Sequence, residues 1–183
     1  MGASRETWAA AALEALSHHG VEAVAIEPVA KRLGVTKGSF YWHFENRAEL
    51  LRAALELWAR RGTTDIIEAL TNVADPVERL RQLFQRVSGA AKGSPSHAAL
   101  ASTDDPAVKE TLQRVASARL AFLSQCYQDI GLKKKVARRR ALLAYATYLG
   151  TVQIARDSPG EFATAAARDA YTEHVIETLV PSR

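Results

Sequence analysis

Residues 36–47 read TKGSFYWHFENR, and hydrogen-bonding side chains crowd into this segment. Lys37 can donate to guanine acceptors, and Ser39 can bond a base or a phosphate. Tyr41, Trp42 and His43 join a flat apolar body to a polar handle, a combination suited to sugar and phosphate. Gly38 lets a backbone approach a base edge or a thymine methyl closely. Phe40 and Phe44 are four apart and share one helix face, which leaves Tyr41 and Trp42 pointing elsewhere. The segment therefore holds binding chemistry for nucleic acid rather than a reacting centre.

The elements that must position this segment read as helices. Ala, Leu, Glu and Arg dominate, Gly and Pro punctuate, and no alternating strand pattern occurs. Ser4 caps a first helix that Gly20 stops. Pro28 lies in the first turn of a second helix ending at Gly34, and Thr36 caps a very short third helix ending near His43. Asn46 starts a long fourth helix with Leu50, Leu51, Ala54, Leu55, Leu57 and Trp58 as its apolar face. Val29, Leu33, Val35, Phe40 and Phe44 are the expected buried set of a helix-turn-helix, with Ala30 small at the crossing and Gly34 in a left-handed turn. Its second helix would present Thr36, Lys37, Gly38 and Ser39 to the major groove. Arg47 stands at the positive end of the fourth helix, where a phosphate would dock. Further helices are expected over about 75–92, 95–102, 105–130, 133–156 and 161–180.

The 183 residues, 48% of them hydrophobic, suit an all-α protein of one domain or a small domain joined to a larger one. No apolar run reaches the length of a membrane span, and neither a secretory nor a myristoylation signal is expected at MGASRETW. The single Cys126 sits among apolar neighbours, so a packed thiol and a cytoplasmic location are expected. The net charge of +4 arises mainly from KKKVARRR at 133–140, which reads as the solvated start of a helix because apolar ALLAYATYL follows.

The stretch GVEAVAIEPVAKRLGVTKGSFYWHFENRAELLRAAL resembles the DNA-binding region of the tetracycline-repressor (TetR) family of bacterial transcription regulators, over residues 4–58. The Gly-Val turn, the Tyr-aromatic-His-Phe run and the basic-x-x-Leu-Leu opening of the fourth helix carry that resemblance. It implies DNA contacts from Thr36, Lys37, Ser39, Tyr41, Trp42, His43 and Arg47. It also implies an N-terminal DNA-binding domain at 1–47 and a C-terminal ligand-binding and dimerisation domain at 48–183. Ala25 stands where the family usually has a phosphate-bonding threonine, so one phosphate contact is expected to be missing. Arg47 replaces the more common lysine and keeps the charge.

For the larger domain the resemblance implies a pocket for a small-molecule effector and a dimer built from the last two helices. Trp58, Phe84, His97, Phe122, Tyr127, Tyr145, Tyr148 and Gln153 are the candidate pocket residues, being large or aromatic with a few polar tips. Leu142, Leu143, Ala146, Leu149 and Val152, with Ala166, Ala170, Val175, Ile176 and Leu179, mark the dimer-forming faces. No catalytic set, metal site or cofactor motif is expected. His18 and His19 point about 100° apart on a helix, and HAALASTDDP lacks the strained turn of a nucleophile. The expected function is a homodimeric repressor released from a palindromic operator by an effector. The competing expectation is an all-α enzyme or carrier whose first helices only mimic the motif.

Overall fold

A computed structural model describes residues 3–89, 100 and 103–181. The described residues form α1 (Arg5–His19), α2 (Ile26–Leu33), α3 (Lys37–Phe40), α4 (Arg47–Ala59), α5 (Asp65–Thr71), α6 (Pro76–Gly89), α7 (Pro106–Asp129), α8 (Lys134–Asp157) and α9 (Ala165–Leu179), with no strand among them. Of the helix expected over about 95–102 the described residues include Leu100 alone, and His97 lies outside them. Contacts divide the chain into two compact units, Met1–Gly62 with Gly93–Gln113, and Thr63–Lys92 with Arg114–Arg183.

In the first unit, Ser4 caps α1 by accepting from the Thr7 amide at 3.2 Å, and Gly20, at φ 80°, ends it. The α1 helix packs on α4 and α2. Trp8, Ala12 and Leu16 of α1 are sealed from solvent, as are Leu50, Leu51, Ala54 and Leu55 of α4. Alanines on both helices let the backbones approach closely. The α4 helix thus supplies a large part of this unit's core. Its N-terminus is closed by Asn46, whose side chain accepts from the Glu49 amide at 3.0 Å, while the Glu49 carboxylate accepts from the Glu45 amide at 2.8 Å. This reciprocal arrangement is close to a capping box.

A π-helical turn, Arg60–Thr64, and α5 follow α4. The expected helices include neither, and Gly62 with two following threonines has weak helix propensity. The Thr63 side chain is buried and its hydroxyl accepts from Arg119 Nε at 2.9 Å. A tertiary hydrogen bond here outweighs weak local propensity.

In the second unit a core joins Leu80 and Phe84 of α6, Leu123, Cys126 and Tyr127 of α7, Ala137, Ala141, Ala144 and Tyr145 of α8, and Ile176 and Leu179 of α9. Ile176 and Leu179, expected on a dimer-forming face, are 1% and 3% exposed within the protomer. They occupy the inward stripe of α9, because only one of its faces can meet α6. The Tyr127 hydroxyl donates to the Leu179 carbonyl at 2.9 Å. Arg79 donates to the Val73 carbonyl and to Asp129 Oδ2 at 2.8 Å, tying the turn before α6 to the end of α7. Cys126 is fully buried, and desolvation pushes its thiol up to about 11, so no thiolate forms near neutral pH. Lys133–Lys135, Arg138 and Arg139 are exposed around buried Ala137, as a solvated helix start requires.

Candidate nucleic-acid interface

The turn between α2 and α3 is set by Gly34, at φ 66°. Its amide donates to the Lys31 carbonyl at 3.2 Å, and the Val35 amide to the Ala30 carbonyl at 3.1 Å, the paired bonds of a Schellman motif. Only a residue without Cβ adopts that φ without strain. Val29, Ala30, Phe40 and Phe44 are buried, while Leu33 and Val35 are only partly so. Leu33 ends α2 and Val35 lies in the turn, and so small a unit cannot enclose both.

Phe40 lies edge-on to Trp8, with ring centroids 5.4 Å apart, and stacks on Phe44 at 5.4 Å. With those two rings sealed inside, Tyr41 is 57% and Trp42 86% exposed. Exposing an indole of that size costs apolar hydration, and no described residue of the first unit covers it.

Lys37 pairs with Glu27 of α2 at 2.7 Å, which holds the carboxyl below its ordinary value and the ammonium above its own. Both groups are exposed, so the pair is weak and can open when another acceptor is offered. Thr36 occupies the position before α3 but makes no side-chain capping bond. The Ser39 hydroxyl donates to the Thr36 carbonyl at 2.8 Å, a bond that holds the turn but caps none of the first amides of α3. A Cβ built on Gly38 would meet only Thr36 Oγ1, at an ordinary 3.8 Å. The fold therefore does not itself demand glycine at 38.

Arg47 donates to the Val24 and Val21 carbonyls, each at 2.7 Å, and lies 3.7 Å from Glu22. Its guanidinium fastens the start of α4 to the turn before α2. Ala25 precedes α2 with no side-chain cap. Arg5 performs a similar task that the sequence reading missed. It donates to the His43 carbonyl and to Glu49 Oε1 at 2.7 Å, and lies 4.4 Å above the Phe44 ring. A cation in the first turn of a helix, where the dipole disfavours it, is the only sequence signal that could have marked it.

The expected pocket residues do not assemble as a set. Trp58 is buried in the first unit. Phe84 and Tyr148 line a cleft in the second unit, with walls from α6, α8, α9 and the 3-10 turn Pro159–Phe162. Tyr127 is in the core, Phe122 packs against it, and Tyr145 is buried with its ring stacked on Tyr148 at 6.3 Å. Gln153 donates to Asp157 at 2.6 Å. The cleft residues beyond the expected set, among them Val152, Phe162, Arg168 and Tyr171, come from segments far apart in sequence.

Short N-terminal helices that form a helix-turn-helix and leave aromatic side chains exposed are an arrangement that many nucleic-acid-binding folds share. Residues 9–54 match the family described as "Bacterial regulatory proteins, tetR family". That match is confined to the N-terminal helices, the helix-turn-helix among them. The chain is 42% identical over 45 residues to the HTH-type transcriptional regulator SrpR of Pseudomonas putida, covering 25% of this chain and 21% of that protein. It is 31% identical over 77 residues to the HTH-type transcriptional regulator AcrR of Shigella flexneri, covering 42% of this chain and 36% of that one. These matches thus span about a fifth to a third of the relatives' length. Among solved structures, reduced NemR of E. coli superposes with a TM-score of 0.76 at 18% identity, over 97% of each chain, a likeness of fold. Among the described residues no helix is long and apolar enough to cross a membrane.

Proposed function

We propose that this chain is a DNA-binding transcription regulator, a homodimeric repressor released from a palindromic operator by a small-molecule effector. The observation that carries the reading is Trp42, 86% exposed beside exposed Tyr41 on a helix-turn-helix whose other aromatics are sealed. In this reading residues 1–47 hold the DNA-reading surface and 48–183 the effector and dimer functions. Thr36, Lys37, Gly38 and Ser39 enter the major groove, with Lys37 exchanging Glu27 for a guanine. Tyr41, Trp42 and His43 meet sugar and phosphate. Arg47, with two bonds committed to carbonyls, chiefly positions the start of α4 and adds positive charge there. The site of action is the cytoplasm, where bacterial DNA lies.

Exposed Leu142, Leu143, Ala146 and Ile154 on α8, with Ala166 and Ala170 on α9, support pairing with a second copy. A two-fold dimer would set its recognition helices about 34–36 Å apart, one turn of duplex. The test is titration with a palindromic operator and an arbitrary duplex at two salt concentrations. A sequence preference that survives the higher salt is expected, and affinity that vanishes equally for both duplexes overturns the proposal. Ala170→Arg is expected to sediment as a monomer, and an unchanged dimer moves the interface elsewhere.

A further inference from the structure

We infer that the cleft of the second unit takes an aromatic carboxylate, its ring among Phe84, Tyr148, Phe162 and Tyr171 and its anion on Arg168. The inference rests on the effector reading above and names the chemical class that the reading leaves open. Four aromatic rings from α6, α8, α9 and the 3-10 turn surround the space, Phe162 and Tyr171 meeting edge-on at 5.2 Å. A flat ring enters such a lining by offset or edge-on contact.

Hydrogen-bond accounting over the serine, threonine and Tyr171 hydroxyls then leaves Arg168 as the charged donor of the cleft. Ser88 donates its hydroxyl hydrogen to the Phe84 carbonyl, Thr147 to Leu143 and Thr172 to Arg168, at 2.8, 2.9 and 2.8 Å. Thr151 donates to the Thr147 carbonyl at 2.8 Å and lies 3.0 Å from the Tyr171 hydroxyl, so Tyr171 is the donor of that pair. Each of these hydroxyls has spent its one hydrogen. Arg168 has not: one terminal nitrogen donates to the Phe162 carbonyl at 2.7 Å and more weakly to Ala163 at 3.4 Å, while the remaining guanidinium donors have no acceptor among the described residues. Among the described residues no Asp or Glu lines the cleft, so none of them neutralises the guanidinium charge within it. A half-buried guanidinium with open donors, at the edge of an aromatic slot, recognises a carboxylate by charge-assisted bonds and repels a cation.

The probes are benzoate and 2-naphthoate, each against its neutral amide, titrated calorimetrically into the full chain. At least one carboxylate is expected to bind at least tenfold tighter than its amide. Arg168→Gln is expected to abolish that preference, and Arg168→Lys to restore part of it. Because Arg168 also holds the Phe162 turn, Val152→Trp provides a second route, filling the cleft while leaving Arg168 in place, and should remove binding altogether. Equal binding of acid and amide, no binding of either carboxylate, or a preference that survives Arg168→Gln or Val152→Trp overturns the inference. Operator binding is measured on the same proteins without probe. Duplex affinity that persists while the carboxylates fail sinks only the ligand class; carboxylate binding without duplex affinity sinks only the regulator reading.

Discussion

In the first unit Phe40 is sealed between Trp8 and Phe44, and Trp42, two residues on, stands 86% exposed with no described residue of that unit over it. In the second unit Tyr127 is sealed and its hydroxyl is used on Leu179, while Tyr148 and Tyr171 line a cleft whose hydroxyls are mostly spent on carbonyls. Aromatic residues therefore serve opposite ends. A four-residue helix cannot turn five successive side chains toward one core, so its surplus rings face outward. Long helices can sort their aromatics by face, so exposure there is chosen by which neighbours meet them.

The sharpest test of this contrast is the pair Phe40→Ala and Trp42→Ala. All three tryptophans, Trp8, Trp42 and Trp58, lie in the first unit, so intrinsic fluorescence follows its unfolding. Phe40→Ala is expected to destabilise that unit by about 3–5 kcal/mol. Trp42→Ala, followed through Trp8 and Trp58, is expected to change stability by less than about 0.5 kcal/mol while weakening operator binding. Similar losses of stability for both would mean that Trp42 is structural and the contrast false.

Removing a single hydroxyl sharpens the same comparison. Tyr127→Phe strands the Leu179 carbonyl in the core and should cost about 1–3 kcal/mol, read by denaturant unfolding. Tyr41→Phe, at an exposed position, should leave stability unchanged and act only on DNA affinity. Arg47→Ala separates positioning from charge. It takes the guanidinium from the Val24 carbonyl and from the Val21 carbonyl, which keeps the Val24 amide, and about 1–3 kcal/mol of first-unit stability should go with it. Arg47→Lys should restore the charge and little of that stability. An Arg47→Ala protein as stable as the parent would return Arg47 to a purely phosphate-binding role.

The smaller effects concern pH and a methyl group. The Glu45 amide and then the Arg5 guanidinium hold the Glu49 carboxyl below its ordinary 4.5. Its stabilising contribution is complete above that ordinary value and is lost as pH falls through the lowered native one. Fluorescence-detected Tm of the first unit should therefore fall with acid more steeply in the parent than in Glu49→Gln, and parallel curves would remove Glu49 from this role. Gly38→Ala meets no close atom and should raise stability by about 0.4–1 kcal/mol. Lower operator affinity despite higher stability is the expected signature of a duplex lying against that backbone.

The helices up to residue 59 were legible because their punctuation is local. Ser4, Gly20, Gly34 and Asn46 act on amides and carbonyls within a few residues, so their types and spacing specify starts and stops without the rest of the chain. The same locality set Phe40 against Tyr41 and Trp42. Arg47 and Arg5 were visible only as charges, because their partners at Val21, Val24, His43 and Glu49 are brought near by the crossing of helices. Thr63 and α5 depended on Arg119, and the cleft draws Phe84, Tyr148 and Arg168 from three separate helices. Sequence alone determined where the chain turns and which short helix must show its aromatics, since those follow from bonds spanning a single helical turn. Tertiary structure alone decided which side chains share a cavity and which charge is left open within it, because that depends on contacts between residues many tens of positions apart.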